Sequence, residues 1–296
     1  YLNHVLDVKE IQPSKQYSGF VREGGDYYSC GLSYTTIQHL LWGGAKVYMA
    51  TRNRKKAQEA IKSLKEDKSW KDKGGEVVWL RLNSSDPREA KKAVEEFLSK
   101  EKRLDVLMNN AALLFDTPFE KTVDGPLNTI IVKVINLTSV TYMLPLQGTK
   151  FKEIDNLCVK YKRSFMAGFL CYSHSKLLEV LWSKNLQKHL DASSPSVPIT
   201  VIAVHPGFID TFTHNWPLSF IWSMIACLVI KNAKEGSYMS VFTAASKTVE
   251  EAREKYKGAY LVPVGKIVKT SAIEGDPEKA EELYQLMLKF LEGIGL

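Results

Sequence analysis

A tyrosine and a lysine stand four residues apart in the segment Tyr172-Ser173-His174-Ser175-Lys176. On a helix, residues at this spacing share one face, so the lysine ammonium can lie near the phenol and favour its ionised form. A tyrosine in water has a pKa near about 10, and a fixed cation brings it closer to the range in which it exchanges protons at neutral pH. The pair therefore predicts a general acid/base, although the same spacing is also common on helices without a catalytic role.

Three polar segments each follow a short apolar run of the kind that forms a buried parallel strand. They are Asn109-Asn110-Ala111-Ala112, Asn136-Leu137-Thr138-Ser139 and His205-Pro206-Gly207. In an open α/β sheet, ligands bind beyond the carboxyl ends of the strands, and all three segments fall there. We therefore expect one site, built from these strand ends and from the helix that carries Tyr172 and Lys176.

The apolar runs alternate with longer amphipathic patterns, which predicts repeated βα units and a mostly parallel sheet. Asp86-Pro87 and Asp276-Pro277 each provide a capping carboxylate and a first-turn proline, and so predict where two helices begin. We expect a single doubly wound α/β domain over residues 34–296, preceded by a divergent N-terminal segment, residues 1–33. The predicted strands are residues 46–50, 76–80, 104–108, 130–135, 199–204 and 260–264.

Charge and cysteine content indicate which partners and which cellular compartment suit this protein. The 40 Lys and Arg residues exceed the 33 Asp and Glu residues by a net charge of +7, but they are spread over helical faces. This distribution favours a solvated surface over a nucleic-acid-binding patch. The four cysteines form no CxxC pair, which favours free thiols in a reducing compartment over a disulfide frame or a metal site. With no signal peptide and no apolar stretch of about 20 residues, we expect a cytoplasmic protein, or one on the cytosolic face of a membrane.

Taken together and in this order, the three strand-end segments and the tyrosine–lysine pair resemble the short-chain dehydrogenase/reductase family, most closely its retinol-dehydrogenase-like branch. The resemblance covers about residues 34–115 and 130–291. It implies a Rossmann-like parallel sheet and an NAD(P)-dependent oxidoreductase. In that family, Tyr172 would be the general acid/base, Ser139 would hydrogen-bond the substrate oxygen, and Lys176 would hold the nicotinamide ribose while lowering the pKa of the tyrosine.

The resemblance also implies which residues bind the cofactor. Arg52 follows the strand at residues 46–50, where a carboxylate would select NAD and an arginine accommodates the 2′-phosphate of NADP. NADP(H) is therefore favoured, with NAD as the alternative, and a solvated helix start over residues 52–56 is a second interpretation of the same residues. The implied cofactor-binding residues are Gly31, Arg52, Asn83, Asn110, Ala111, Lys176, Pro206, Gly207 and Thr211.

Two parts of the family pattern do not appear in this sequence. Members begin with an apolar strand and a glycine-rich turn, whose small residues let backbone N–H groups approach a pyrophosphate. Here only Gly31 aligns with that turn, Ser33 replaces its last glycine, and the residues upstream show no apolar strand pattern. We therefore expect a sheet that is incomplete at its first strand. The family's long helix between the fourth and fifth strands, with a further catalytic asparagine, is not visible in residues 115–129.

The segment after Thr211 contains an apolar, tryptophan-containing stretch, residues 216–230, where the family has a substrate lid. Apolar lining implies a lipophilic alcohol or carbonyl substrate, such as a retinoid, a steroid or a long-chain aldehyde. A membrane-surface helix and ordinary core are the alternatives. Between Ser139 and Tyr172, an insertion with Phe151, Tyr161, Phe165 and Phe169 is expected to form a loop over the mouth of the site.

Three functions are therefore compatible with the sequence. The first is an active oxidoreductase, the second is a catalytically inactive member of the family, and the third is a peripheral membrane protein that uses residues 216–230 as an anchor. No nucleic-acid partner is expected, and no pattern indicates an oligomeric state. The oxidoreductase interpretation requires the side chains of Tyr172 and Ser139 to lie on the same side of the sheet.

Overall fold

The computed structural model describes residues 31–83, 86–110, 131–143, 150–157, 159, 161, 167–193, 199–207, 233–263, 265–269 and 276–294, together with the backbone of residues 18–22. Eight strands lie within these residues and form one sheet. They are β1 (Ser18–Arg22), β2 (Lys46–Thr51), β3 (Glu76–Arg81), β4 (Leu104–Asn109), β5 (Ile131–Leu137), β6 (Thr200–Val204), β7 (Tyr260–Val262) and β8 (Lys266–Ile267).

The sheet has the order β3-β2-β1-β4-β5-β6-β7-β8. All neighbouring pairs are parallel except β7 and β8, which pair antiparallel. The strand order reverses between β1 and β4, which is the switch point where ligands bind in such sheets. This topology confirms the predicted α/β class with a Rossmann-like, doubly wound sheet.

Helices connect the strands in the described part of the chain. The α-helices are α1 (Leu32–Trp42), α2 (Arg54–Glu66), α3 (Pro87–Lys100), α4 (Ala167–Ser193), α5 (Ala233–Ala245), α6 (Lys247–Glu251), α7 (Arg253–Tyr256) and α8 (Pro277–Glu292). Short 3₁₀ helices are formed by Lys68–Lys73, Val140–Met143 and Ile154–Asn156.

Strand β1 corrects one expectation from the sequence. It lies within the divergent segment of residues 1–33, yet it fills the central position of the sheet, with Phe20 opposite both Tyr48 of β2 and Leu107 of β4. The sheet is therefore complete where a missing first strand was expected. The sequence SGFVR has only two adjacent apolar residues and a glycine, so no strand pattern was visible. Parallel neighbours on both sides hold such a segment through backbone hydrogen bonds, which do not depend on its side chains.

Both predicted helix starts are confirmed. The Asp86 side chain accepts a hydrogen bond from the backbone N–H of Arg88 at 3.0 Å, directly before α3. The Asp276 side chain accepts from the backbone N–H groups of Glu278 and Lys279 at 3.0 and 3.3 Å, directly before α8. In each case a proline occupies the first turn, where its missing N–H costs nothing.

Helices cover both faces of the sheet. In β2, Val47 and Met49 pack in a cluster that includes α1, while Tyr48 and Ala50 pack in a second cluster that includes α3. These four side chains are at most 1% exposed, as expected for a parallel strand covered on both faces. The core is thus divided into two layers by the sheet.

Helix α4, which carries the predicted tyrosine and lysine, is supported on its outer side by α8. The Tyr284 ring of α8 stacks on the His189 ring of α4, with centroids 4.0 Å apart and planes at 8°. Trp182 lies on the same side of α4 and also stacks with Tyr284, at 5.3 Å. This contact fixes α4 between the sheet and α8.

A buried lysine joins β5 to α5. Lys133 is 3% exposed, and its Nζ donates a hydrogen bond to the Ala244 carbonyl oxygen at 3.0 Å. That carbonyl lies in the last turn of α5, where the helix dipole favours a cation. The helix is thereby fixed to the sheet at its C-terminal end.

Candidate active site

Parallel pairing brings the carboxyl ends of β4, β5 and β6 side by side. Asn109 of β4 is opposite Asn136 of β5, which is itself opposite Ala203 of β6. The segments that follow these strands, with Asn110 after β4 and Ser139 after β5, therefore lie along one edge of the sheet. This is the edge where the sequence predicted a site.

Side-chain hydrogen bonds tie these strand ends to α4. Asn109 Nδ2 donates to Asn136 Oδ1 at 2.7 Å, and Asn136 Nδ2 donates to Ser183 Oγ at 2.8 Å. Ser183 Oγ in turn donates to the Glu179 carbonyl oxygen at 2.6 Å. Asn136 and Ser183 were not predicted as site residues, although the polar Asn136 inside an apolar strand was a visible signal. The network sets the distance between the strand ends and the helix.

The Tyr172 and Ser139 side chains face each other on the same side of the sheet, as the oxidoreductase interpretation requires. The Ser139 hydroxyl lies close enough to the Tyr172 phenol to lower the pKa of that phenol. Ser139 Oγ also accepts a hydrogen bond from the backbone N–H of Thr141 at 3.3 Å, which holds the serine side chain in place. The two hydroxyl groups can therefore contact one oxygen atom of a ligand.

The pKa of Tyr172 is raised above its ordinary value, because burial of the phenol is the largest effect. The Lys176 ammonium lies 5.7 Å from the centre of the Tyr172 ring and lowers this pKa, as the sequence predicted. The Glu179 carboxylate acts in the opposite direction and raises the pKa. The expected net lowering is thus corrected, since burial outweighs the neighbouring cation in the protein without ligands.

The Lys176 side chain is buried, and three hydrogen bonds use its ammonium. Nζ donates to the Leu137 carbonyl oxygen at 2.7 Å and to the two Glu179 carboxylate oxygens at 2.9 and 2.8 Å. An ammonium has three N–H donors, so all of them are engaged. Glu179 was not predicted as a site residue, although a carboxylate three residues after a helical lysine indicates an ion pair.

On the other side of the switch point, the end of β4 meets the start of α1. Gly31 is the N-cap of α1, and its carbonyl oxygen accepts the backbone N–H of Thr35 at 3.2 Å. The Asn110 side-chain amide donates to the hydroxyl of Ser33, in the first turn of α1. Asn110 Oδ1 is buried and has no hydrogen-bond partner among the described residues. A free buried acceptor beside a helix N-terminus fits a nucleotide cofactor, whose hydroxyl or amide groups can donate to it and whose phosphates suit the helix end.

The remaining predicted cofactor residues are distributed along the same edge. Arg52 is exposed directly after β2, ahead of the first turn of α2, and Asn83 is half-buried after β3. Pro206 and Gly207 are half-buried after β6, and Gly207 has a φ of 96°. The other two predicted cofactor residues, Ala111 and Thr211, lie outside the described residues, as do residues 115–129 and 216–230.

The insertion before Tyr172 is partly described and differs from the expected loop over the site. Phe151 is 2% exposed and packs in a core cluster with Tyr142 and Leu177. His174 Nε2 is 3.0 Å from the Asn156 carbonyl oxygen, which fastens the insertion to α4. Phe151 is therefore a core residue, and its aromatic character alone could not distinguish core from a substrate-facing loop.

Two of the other aromatic residues of the insertion are described. Phe169 lies in the first turn of α4. Tyr161 is half-buried, and burial raises the pKa of its phenol to about 12. Phe165 lies outside the described residues.

Two kinds of structure are absent from the described part of the chain. No group of three or more His, Cys, Asp and Glu side chains among the placed residues could hold a metal ion. None of the helices with described residues has the length and apolar character to cross a bilayer.

Comparison with known proteins gives a consistent result. Residues 28–216 match the family model for short chain dehydrogenase. A short-chain dehydrogenase/reductase of Armillaria gallica is 29% identical over 86% of this chain and 87% of the relative. Human retinol dehydrogenase 12 is 28% identical over 76% of this chain and 73% of the relative.

A solved structure shows the same fold. L-Sorbose reductase from Gluconobacter frateurii, in complex with NADPH and L-sorbose, has a TM-score of 0.59 at 15% identity, over 88% of this chain and all of that chain. The sheet order, the site at its switch point and the family match agree. The chain belongs to the short-chain dehydrogenase/reductase family and, as its sequence predicted, is similar to the retinol-dehydrogenase-like branch.

Proposed function

We propose that this protein is an NAD(P)-dependent oxidoreductase that interconverts a lipophilic alcohol and its carbonyl compound, with Tyr172 as the general acid/base. One observation carries the proposal. The half-buried Tyr172 side chain faces the Ser139 hydroxyl and lies beside the Lys176 ammonium, at the carboxyl end of β5. This arrangement can bind a substrate oxygen and exchange a proton with it.

In the reduction direction, Ser139 donates a hydrogen bond that holds the carbonyl oxygen, and Tyr172 gives its phenolic proton to that oxygen. The phenolate that results is stabilised by the nearby Lys176 ammonium. In the oxidation direction, the phenolate takes the proton of the alcohol hydroxyl. A nicotinamide cofactor held at this edge of the sheet would supply or accept the hydride at the substrate carbon.

The described residues that would hold this cofactor follow the carboxyl ends of the strands, lie directly before α1 or, in the case of Lys176, lie in α4. Arg52 supports NADP(H) over NAD, because it is exposed at the end of β2 and α2 begins only at Arg54. The NADPH complex of the structurally similar L-sorbose reductase supports the same choice. We assign cofactor binding to Gly31, Arg52, Asn83, Asn110, Ala111, Lys176, Pro206, Gly207 and Thr211.

A lipophilic substrate is supported by the composition of residues 216–230 and by the similarity to retinol dehydrogenases. An apolar, aromatic stretch suits a retinoid, a steroid or a long-chain aldehyde. The same stretch suits association with the cytosolic surface of a membrane. Binding to liposomes in a flotation assay would support that association, which is compatible with the enzymatic function.

The experiment combines cofactor binding with turnover. NADPH is titrated into the protein while tryptophan fluorescence is followed, and NADPH oxidation is then measured with all-trans-retinal, a steroid ketone and a long-chain aldehyde. We expect saturable binding, and turnover that falls by about 10²-fold or more in Tyr172→Phe. In the control variant Tyr284→Phe, which keeps its ring stacking on α4, turnover should be unchanged.

Two results would contradict the proposal. Saturable binding without turnover of any of these carbonyl compounds would favour the inactive family member. No saturable fluorescence change at millimolar NADPH or NADH would exclude a nucleotide-dependent enzyme.

A further inference from the structure

The Lys176 ammonium and the Glu179 carboxylate form an ion pair that reaches from the interior to the surface. The Lys176 side chain is 3% exposed, whereas the Glu179 side chain is 34% exposed. Both carboxylate oxygens accept hydrogen bonds from Nζ, at 2.9 and 2.8 Å. A buried ammonium requires partners, because desolvation of an unpaired charge is costly.

The position of this pair relates it directly to the site. The third hydrogen bond of Lys176 Nζ goes to the Leu137 carbonyl oxygen, at the end of β5 and two residues before Ser139. Tyr172 lies one helical turn before Lys176, with its ring 5.7 Å from Nζ. Glu179 therefore holds a cation that has the β5 end on one side and the Tyr172 ring on the other.

We propose that Glu179 is a positioning residue of the active site, which holds the Lys176 ammonium at the end of β5 and offsets its positive charge where that charge faces Tyr172. The proposal rests on the function proposed above and deepens it. Glu179 touches neither the substrate nor the reacting atoms in this account, and it acts through Lys176.

The electrostatic effects on Tyr172 agree with this geometry. Lys176 lowers the pKa of the phenol, while Glu179 raises it. With the carboxylate in place, the phenol keeps its proton to a higher pH and so remains the form that donates to a carbonyl oxygen. Release of one of the two carboxylate contacts would free an N–H of Lys176 for another acceptor, without leaving the ammonium unpaired.

In the described part of the chain, titratable groups on the other elements packed against α4 are neutral, buried or engaged elsewhere. Lys133 of β5 donates to a carbonyl of α5, and burial lowers the pKa of His205, after β6, to about 4. Tyr142 of the 3₁₀ helix is 3% exposed, and Glu281 of α8 pairs with Lys188, which lies more than two turns beyond Glu179. Among the described residues, Lys176 and Glu179 are the charged groups that act on the Tyr172 phenol.

The test uses the substitution Glu179→Gln, which removes the charge and keeps the shape of the side chain. The protein is labelled with tyrosine that carries ¹³C at the ζ position, and the sample contains no cofactor. The Tyr172 signal is assigned by its loss in Tyr172→Phe. NMR spectra are recorded from pH 7 to 11, within the range where circular dichroism shows intact structure. Deprotonation of Tyr172 should begin at a pH lower by about 0.5 to 1 unit, as expected when a neighbouring charge is removed.

The matched control is Glu89→Gln in α3. Glu89 also pairs with a lysine three residues later, Lys92, at 2.9 Å. A merely structural ion pair affects stability alone, so Glu89→Gln should leave the Tyr172 titration where it is in the wild type. If Glu179→Gln gives the same titration as the wild type, the inference is overturned.

A second variant keeps the inference testable if Glu179→Gln does not fold. Glu179→Asp retains the charge but withdraws it from Lys176, so the Tyr172 titration should move in the same direction by a smaller amount. An unchanged titration in a folded Glu179→Asp protein would also overturn the inference.

The two proposals can fail separately. The NMR titration needs neither cofactor nor substrate, so it tests Glu179 even if the wild type shows no turnover. If the wild type is active, the rate of alcohol oxidation can be measured as a function of pH. The alkaline side of this pH profile should shift in Glu179→Gln by the amount that NMR gives for Tyr172. Turnover in the wild type with no shift of that profile and no NMR shift would leave the oxidoreductase function intact and reject the role of Glu179.

Discussion

The side-chain amide of Asn110 donates a hydrogen bond to the hydroxyl of Ser33, and this contact joins the end of β4 to the first turn of α1. In the family pattern, the position of Ser33 is the last glycine of the phosphate-binding turn. The serine hydroxyl thus provides a hydrogen bond that links β4 and α1, the two elements beside the switch point. Its partner keeps a free buried acceptor, Asn110 Oδ1, on the same side chain.

Substitution Asn110→Ala should weaken cofactor binding. The change removes both the contact with Ser33 and the free acceptor, and the loss of one such hydrogen bond corresponds to about 1 to 3 kcal/mol. We expect the Kd for NADPH to rise by roughly 10-fold or more, measured by fluorescence titration. Asn185→Ala is the control, because Asn185 bonds to Glu281 of α8, away from this contact. Equal Kd values for the wild type and Asn110→Ala would contradict the cofactor assignment.

Substitution Arg52→Ala should reduce the preference for NADPH over NADH. The guanidinium is exposed at the end of β2, where it can pair with a 2′-phosphate but gains nothing from a 2′-hydroxyl. We expect the Kd for NADPH to rise by roughly 10-fold while the Kd for NADH changes little, in parallel fluorescence titrations. Arg88→Ala, at the exposed start of α3, serves as the control. A parallel loss for both cofactors would show that Arg52 does not select between them.

Stability should fall as the pH decreases from about 6.5 towards 4. Burial lowers the pKa of His205 to about 4, and burial also lowers the pKa values of His39 and His174. At a pH between the folded and unfolded pKa values, the unfolded chain binds more protons than the folded chain. The contribution of these histidines to stability is therefore fully present above about pH 6.5 and is lost as the pH falls below that value. For His205 the loss amounts to roughly 3 kcal/mol once the pH reaches the folded pKa.

The measurement is the thermal midpoint at a series of pH values. His205→Gln should flatten the decrease below pH 6.5, because one of the groups that binds protons only on unfolding is removed. His189→Gln is the control, since His189 lies on a partly exposed surface and contacts Glu281. A decrease of the same steepness in wild type and His205→Gln would show that burial of His205 does not contribute.

Substitution Gly207→Ala should destabilise the protein by about 1 kcal/mol or more. Gly207 has a φ of 96°, and an added Cβ would lie 3.2 Å from Cγ of Pro263, which follows β7. Gly74→Ala is a matched control, because its φ is 77° but no atom lies within 4 Å of the added Cβ. Chemical denaturation should therefore show a larger loss for Gly207→Ala. Equal losses of stability in the two variants would mean that the contact with Pro263 adds nothing to the cost of placing alanine at a positive φ.

Much of the fold follows from local patterns that the sequence displays. Continuous apolar runs predicted β2 to β6, because a strand covered on both faces carries apolar residues at every position. Asp86 and Asp276 predicted two helix starts, because a capping side chain acts within one turn. The side chains of Tyr172 and Ser139 could be predicted to meet, because strand ends of a parallel sheet share one edge.

Other features depend on contacts that local patterns do not contain. The position of β1 is set by backbone pairing with two strands that are distant in sequence. The net pKa of Tyr172 depends on how deeply the phenol is buried, and that depth arises only from tertiary packing. Phe151 is a core residue for the same reason, because an aromatic side chain suits a core and a ligand-facing loop equally well.

The buried bond from Lys133 to the C-terminal end of α5 has a consequence for sequence changes elsewhere in the chain. The contact of Gly207 with Pro263 and the bond from Lys133 to Ala244 fix two points of the chain, one on each side of residues 216–230 in the sequence. If residues 216–230 contact the substrate as proposed, we expect substitutions among them to change the choice of substrate while the end of β5, next to Lys133 and Ser139, keeps its position.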